Sequence, residues 1–123
     1  MESILLSIKK LLGITEDYKH FDVDIIMHIN SVFPTLRQLG VGPTNGFTIS
    51  DEQALWTDFL GESNNLEDVK TYVYLKVKLI FDPPLSSVVT DSINRMLSEL
   101  EWRINIDAES EQPSSEEENQ NGE

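Results

Sequence analysis

Two histidines and an aspartate, each four residues from the next, are the side chains in this chain whose types and spacing could bind a metal. His20, Asp24 and His28 would lie on one side of a helix that extended back to His20. Imidazole and carboxylate are ligands that Zn²⁺ accepts, so the spacing admits a small metal-dependent hydrolase. The same residues are common on solvated helix faces, however. We therefore expect no metal and no other cofactor.

Other catalytic chemistry is disfavoured by the residues present. The sequence has no Cys, which excludes disulfides, thiolate metal sites and Cys nucleophiles. A glycine-rich stretch runs from Gly40 to Gly46, but no Lys and Ser/Thr pair follows it and no strand precedes it, as a phosphate-binding loop would require. No Ser, His and Asp arrangement can be argued either. We predict that the protein is not an enzyme.

The charge of the chain is strongly negative and unevenly distributed. The 123 residues carry a formal net charge of −13, which repels phosphate backbones and anionic lipid. Residues 107–123 hold 7 of the 22 acidic residues and no Lys or Arg. Almost nothing in that segment is apolar, so we expect a disordered acidic tail at 107–123 behind one helical domain at 1–106.

No membrane segment is expected. The N-terminus lacks the basic region and the small-residue cleavage site of a signal peptide, and no apolar run approaches the roughly 20 residues that cross a bilayer. We therefore expect a soluble protein without a membrane partner.

Apolar residues recur at helical spacing along the body of the chain, which predicts an all-α protein. Breakers and capping residues divide the pattern into a short N-terminal helix ending at Gly13, a helix from about Asp22 to Leu39, one after Ser50, one after Asn65, and one after Ser86 or Ser87. The predicted fold is a small helical bundle of about four main helices plus the short N-terminal helix.

The periodicity also predicts which side chains are buried. In the N-terminal helix these are Ile4, Leu5, Ile8, Leu11 and Leu12, and in the second helix Phe21, Ile25, Ile29, Val32, Leu36 and Leu39. In the helix after Asn65, most of the circumference is apolar, so this helix should be central in the bundle. Its predicted buried residues are Leu66, Val69, Tyr72, Val73, Leu75, Val77, Leu79 and Ile80. The last helix presents Val89, Ile93, Met96, Leu97, Leu100 and Ile104.

Prolines and a capping pattern give further expectations about helix ends. Pro34 lies inside the second helix and should kink it or break its final turn. Ser50 and Gln53 have the spacing of a capping box and predict that a helix begins there. Pro83 and Pro84 follow Asp82 and bias the preceding residues away from helical angles, so Asp82, Pro83 and Pro84 should form a rigid structural corner.

Two segments are candidates for contacts with other molecules. In the glycine-rich loop, Phe47 and Ile49 should hold the loop against the body, which leaves residues 41–45 to project. Trp102 falls off the main apolar stripe of the last helix, so it either covers the edge of the core or is an exposed interface anchor.

The order of these elements resembles a known family. The stretches "HINSVFPTLRQLGVGP", "GFTI", "VKTYVYLKVKLIFDPP" and "LSELEWRINI" are similar to the head-tail connector (adaptor) proteins of long-tailed double-stranded DNA phages and their prophages. The similarity covers about residues 1–106. Its specificity lies in the combination of motifs, and the acidic tail is not part of it.

The resemblance implies a non-catalytic virion protein made in the host bacterial cytoplasm and located at the head-tail interface. Members form a ring of copies, commonly dodecameric, between the portal protein and a stopper or tail-completion protein. The ring extends the channel through which double-stranded DNA passes without specific binding during genome ejection.

Carried onto this chain, the resemblance implies a portal-binding segment at Trp102, Arg103, Ile104, Asn105 and Ile106. It also implies that Val41, Gly42, Pro43, Thr44 and Asn45 contact a neighbouring ring or line the channel. The alternative from the residues alone is an acidic helical regulatory protein that mimics DNA and binds another protein.

Overall fold

The computed structural model describes residues 2–62 and 65–110, and it confirms the predicted all-α bundle. No strand occurs among these residues. The five helices are α1 (Ile4–Leu12), α2 (Asp22–Gln38), α3 (Trp56–Leu60), α4 (Leu66–Phe81) and α5 (Ser87–Ser110).

The predicted central helix is α4, which packs against α1, α2 and α5. Burying apolar side chains on several sides of one helix is what gives a domain this small a continuous core. Ile80 is an exception, because it is 57% exposed in the last turn of α4, next to the corner. The five side chains of α4 that are buried are Val69, Tyr72, Val73, Leu75 and Val77.

α1 is fixed to the body by contacts with residues far along the chain. Ser3 caps it by accepting a hydrogen bond from the Leu6 N–H at 3.2 Å, and Gly13 ends it at a φ of 84°. Its start is held by hydrogen bonds from the Ile4 N–H to the Ala54 carbonyl and from the Trp56 N–H to the Glu2 carbonyl, both at 3.0 Å. The Trp56 indole also donates to the Ser7 hydroxyl at 2.7 Å. Contrary to prediction, Leu11 is exposed.

α2 begins at Asp22, as predicted, and remains helical through Pro34 to Gln38. Pro34 therefore does not break the final turn. Pro34 is exposed, whereas Ile29, Val32 and Leu36 of the same helix are buried.

The predicted capping box at Ser50 is wrong. Residues 51–53 form a turn in which the Asp51 carboxylate accepts from the Gln53 N–H at 2.8 Å. α3 begins only at Trp56, and the Asp58 carboxylate accepts from the Leu55 N–H at 2.8 Å. The Asp51 turn thus forms in place of a first helical turn, because Asp side chains hydrogen-bond readily to nearby backbone N–H groups.

α5 differs in part from its predicted pattern. Ser86 caps it by accepting from the Val88 and Val89 N–H groups. Val89 and Met96 are exposed, because α5 packs mainly against α4 and only a narrow stripe is covered. The side chains that α5 buries are Ile93, Leu97, Leu100, Ile104 and Ala108.

The C-terminal end of α5 reaches into the segment predicted to be an acidic tail. Residues 107–110 are helical, and Ala108 is buried beside Gly40. The rest of the predicted tail, 111–123, lies outside the described residues.

A buried lysine was not predicted. Lys9 is fully buried, and its ammonium lies 2.9 Å from the Asp22 carboxylate. It also donates to the backbone carbonyls of Glu16 and Tyr18 at 3.1 and 2.8 Å. Since a buried charge needs partners, these bonds fix the connection between α1 and α2.

Candidate interaction surfaces

The two histidines that suggested a metal site do not form one in the folded structure. His20 precedes α2, so the helical spacing on which the site depended does not hold. Its ring lies 4.8 Å from Phe21, and the ring of His28 lies 6.3 Å from Phe81. Across residues 2–62 and 65–110, no group of three or more His, Asp or Glu side chains could hold a metal ion.

The predicted portal-binding segment divides into two faces of α5. Ile104 is fully buried, and the Asn105 amide donates to the Leu39 carbonyl at 3.0 Å, so these two side chains hold α5 to the end of α2. Trp102 is 67% exposed, and Ile106, four residues later on the same outer face, is also exposed. Trp102 is thus exposed and does not close the edge of the core, and its role as an interface anchor stays a prediction.

Arg103 lies between these two faces and joins α5 to α4. Its guanidinium is 3.5 Å from the Asp68 carboxylate on α4 and 3.8 Å from the Glu99 carboxylate on α5. Its side chain is about half exposed, so such ion pairs are screened by water and stabilise the helix pair only weakly. Arg103 therefore remains accessible to an anionic partner group.

The glycine-rich loop packs more closely than predicted. Val41 does not project, because its side chain is buried in the core. Gly42 has a φ of 90°, and a Cβ there would lie 2.3 Å from the Phe59 ring, so only glycine fits. Thr44 and Asn45 are the residues of the segment that are exposed.

A cavity of about 150 Å³ lies between this loop and α2. Its walls are mostly apolar, with three phenylalanine rings whose centroids are 4.7–5.2 Å apart. The cavity-lining residues are Asn30, Phe33, Pro34, Arg37, Val41, Pro43, Gly46, Phe47, Thr48 and Phe59. Aromatic packing of this kind makes the loop rigid.

The corner predicted at Asp82, Pro83 and Pro84 joins α4 to α5. Asp82 ends α4, its N–H bonding to the Lys78 carbonyl at 2.9 Å. Beyond the prolines, Leu85 is fully exposed, and Val88 in the first turn of α5 is largely exposed. Sequence periodicity did not predict this apolar surface, although the charge-free run "PPLSSVVT" from residue 83 is a usable signal.

A hydrogen bond joins α4 to α5 at mid-length. The buried Tyr72 hydroxyl donates to the Glu101 carboxylate at 2.8 Å. Burial, followed by that hydrogen bond and the carboxylate charge, raises the pKa of Tyr72 far above its ordinary value. The hydroxyl thus stays protonated and keeps the two helices joined at any neutral pH.

None of the helices within residues 2–62 and 65–110 is both long and apolar enough to cross a bilayer.

Comparison with known proteins gave one match. A family model described as "Phage connector protein" matches residues 4–111, which is most of the chain. No curated protein and no solved structure matches significantly.

Proposed function

Because the chain belongs to the phage connector protein family, it is a structural component of a phage particle, and we propose that it forms the ring between the portal and the stopper or tail-completion protein. In this position the ring extends the DNA exit channel at the head-tail interface. Its function is mechanical and adhesive, not catalytic.

The exposed end of α5 supports the portal-facing part of this proposal. A tryptophan that is two-thirds exposed is costly to leave in water and is enriched among residues that dominate binding energy. Trp102 and Ile106 form one apolar strip beside the half-exposed Arg103. We assign this strip to the portal contact. Ile104 and Asn105 act through the fold, by positioning α5.

In the glycine-rich loop, fewer residues can make a contact than the whole segment 41–45. Thr44 and Asn45 are the positions that can touch a neighbouring ring or the channel, because Val41 and Gly42 pack against the core. Pro43 lines the cavity beneath. The rigid loop would therefore present two polar side chains at a fixed position.

The net charge supports passage of DNA without binding. A chain with a net charge of −13 repels the duplex, and a ring of such chains around the channel keeps DNA from adhering during ejection. The proposal thus includes double-stranded DNA as a passing molecule and not as a ligand.

Electron microscopy of purified portal rings mixed with the full chain tests the proposal. We expect an added ring below the portal, and none when Trp102→Ala replaces the wild-type chain. Truncating an anchor of this kind typically costs about 2 kcal/mol or more in binding. Folding should change by less than about 0.5 kcal/mol, because the indole is mostly exposed.

The matched control is Asn94→Ala, an exposed change two helical turns before Trp102 on the same helix, which should leave the added ring unchanged. Absence of ring density with the wild-type chain would count against the proposed function itself. Normal density with Trp102→Ala would count against the assigned contact alone.

A further inference from the structure

The surface around the cavity beneath the glycine-rich loop is locally basic, although the chain as a whole is strongly acidic. Residues 25–50 contain no Asp, Glu or Lys, and their one Arg is Arg37, which is exposed in the last turn of α2 and lines the cavity. Within residues 2–62 and 65–110 its guanidinium has no ion pair or hydrogen bond. The Asp58 carboxylate, next to the cavity-lining Phe59, is bonded to the Leu55 N–H instead. Arg37 is thus open to an anionic group.

The cavity itself suits one compact apolar group. Its volume is about 150 Å³, and the rings of Phe33, Phe47 and Phe59 form much of its wall. The Asn30 side chain donates to the Ile49 carbonyl and accepts from the Ile49 N–H, at 2.9 and 2.8 Å, so that amide is already satisfied. An apolar cavity of this size has room for a single ring. The matching ligand is a small apolar ring with carboxylates close by, within reach of the guanidinium.

α5 brings a segment of this composition to the cavity. The Ala108 Cβ lies 3.0 Å from the position that a Cβ on Gly40 would take, and Val41, the next residue, lines the cavity. Residues 111–123 follow α5 directly and contain five Glu and no Lys or Arg. Pro113 is their one apolar side chain. Three extended residues span about 10 Å, so Pro113 can lie near the cavity without unwinding α5.

We propose that residues 111–123 dock on this surface of their own chain, with the Pro113 ring in the cavity and the acidic run at 116–118 beside Arg37. Proline rings pack well on aromatic walls and lose little freedom because φ is fixed. Carboxylates pair favourably with a guanidinium. Residues 1–110 hold 17 acidic and 9 basic side chains, so an acidic segment is repelled least where the body has no carboxylate.

Docked in this way, residues 111–123 cover the cavity and the guanidinium and keep both from other apolar or anionic partners. Because Arg37 is exposed, its ion pairs are screened, so the docking is reversible and weakens as salt is added. The contact lies within one chain. It therefore goes beyond the proposed ring and does not depend on portal binding.

Disulfide formation within the full chain tests this docking, because the natural chain has no Cys. Thr48→Cys at the exposed rim of the cavity is combined with Ser114→Cys, and the intramolecular disulfide is measured by mass spectrometry in glutathione buffers at low protein concentration. The control pair uses Glu67→Cys, an exposed position next to Asp68, to which Arg103 near the end of α5 is bonded. We expect the effective concentration of the two thiols to exceed that of the control about tenfold or more.

Further substitutions in the Thr48/Ser114 pair separate docking from mere proximity. Arg37→Gln and Pro113→Ser should each lower the effective concentration several-fold, and added salt should lower it as well. Arg95→Gln is the matched control. It removes the same charge from an exposed arginine on α5 whose one hydrogen bond within the described residues is to a serine, and it should have no effect.

An effective concentration that neither Arg37→Gln nor Pro113→Ser lowers, or that Arg95→Gln lowers equally, would overturn the inference. A disulfide that forms only between chains would also overturn it. Circular dichroism confirms first that each variant is folded. In the chain without added Cys, Pro113→Ser should shift the amide NMR signals of Gly46 and Thr48, and unchanged signals would contradict the docking. These outcomes are independent of the portal experiment, because they are measured on the free chain.

Discussion

α4 and α5 follow one another across a short corner, yet they distribute their side chains in opposite ways. Each buries five side chains, but α4 does so within 16 residues and α5 within 24. α4 packs against helices on several sides, whereas α5 packs mainly against α4. The difference shows that α4 lies in the interior of the protomer, whereas most of the surface of α5 is exposed.

The largest expected effect on folding stability comes from a buried charge on α4, and the same charge on α5 should have almost none. Val73→Asp puts a carboxylate at a fully buried position of α4, which should cost about 4 kcal/mol or more. That is comparable to the whole stability of a small domain, about 5–15 kcal/mol, so helicity by circular dichroism should collapse. Met96→Asp on α5 adds the same charge to an exposed position, and its urea midpoint should match wild type within error. Similar losses in both variants would contradict the comparison.

A smaller loss in stability should follow from removing the charge that holds α1 against the start of α2. Lys9→Met keeps the buried stem but leaves the Asp22 carboxylate without its ammonium, which should cost about 2–4 kcal/mol in the free energy of unfolding. Urea denaturation gives the value. Lys19→Met is the control, because its pair with Glu52 is largely exposed and should be worth under about 1 kcal/mol. Equal losses in the free energy of unfolding for the two variants would show that Lys9 and Asp22 do not form a buried ion pair.

The hydrogen bond between Tyr72 on α4 and Glu101 on α5 should contribute less to the free energy of unfolding. Tyr72→Phe removes the hydrogen bond to Glu101, at a cost of about 1.5 kcal/mol. Because the folded pKa of Tyr72 is raised, the unfolded chain loses this proton first, near pH 10. The contribution is therefore complete below pH about 10 and is lost as the pH rises above it. Thermal melts from pH 8 to 11 should fall less steeply for Tyr72→Phe, and parallel curves would contradict this assignment.

The smallest effect on folding is expected at the corner itself. Replacing Pro83 and Pro84 by Ala should cost about 1 kcal/mol, mainly because the unfolded chain gains freedom. The angle between α4 and α5 would no longer be fixed, so assembly on portal rings should suffer more than stability. Parallel urea melts and electron microscopy measure the two. A fully formed ring with the double variant would show that the corner does not set assembly geometry.

The sequence predicted most of the fold because its helices are long, periodic and bounded by clear breakers. Helical spacing located α4 and its buried residues, and Gly13 and Ser86 acted as the expected cap residues. The failures have local causes. The Asp51 turn replaced a capping box, and Val89 and Met96 are exposed because no second helix covers that flank of α5.

The candidate surfaces were less predictable, because exposure depends on which elements are neighbours in space. Trp102 and Ile104 looked alike as members of one segment, yet one is exposed and the other fully buried. Nothing in the spacing of Lys9 indicated that it would be enclosed by carbonyls from the following connection. The charge-free run at residues 83–90, by contrast, was visible in the sequence and coincides with the exposed Leu85 and Val88.

The attachment of α1 has a consequence for the order in which the chain folds. Its start is bonded to Ala54 and Trp56, and Glu2 also accepts from the Lys70 ammonium at 2.9 Å. During translation these partners emerge from the ribosome some fifty to seventy residues after α1 itself, and a nine-residue helix is not stable alone. α1 therefore cannot complete its bonds to the body until the chain through Lys70 has been made, which makes its docking a late event in co-translational folding.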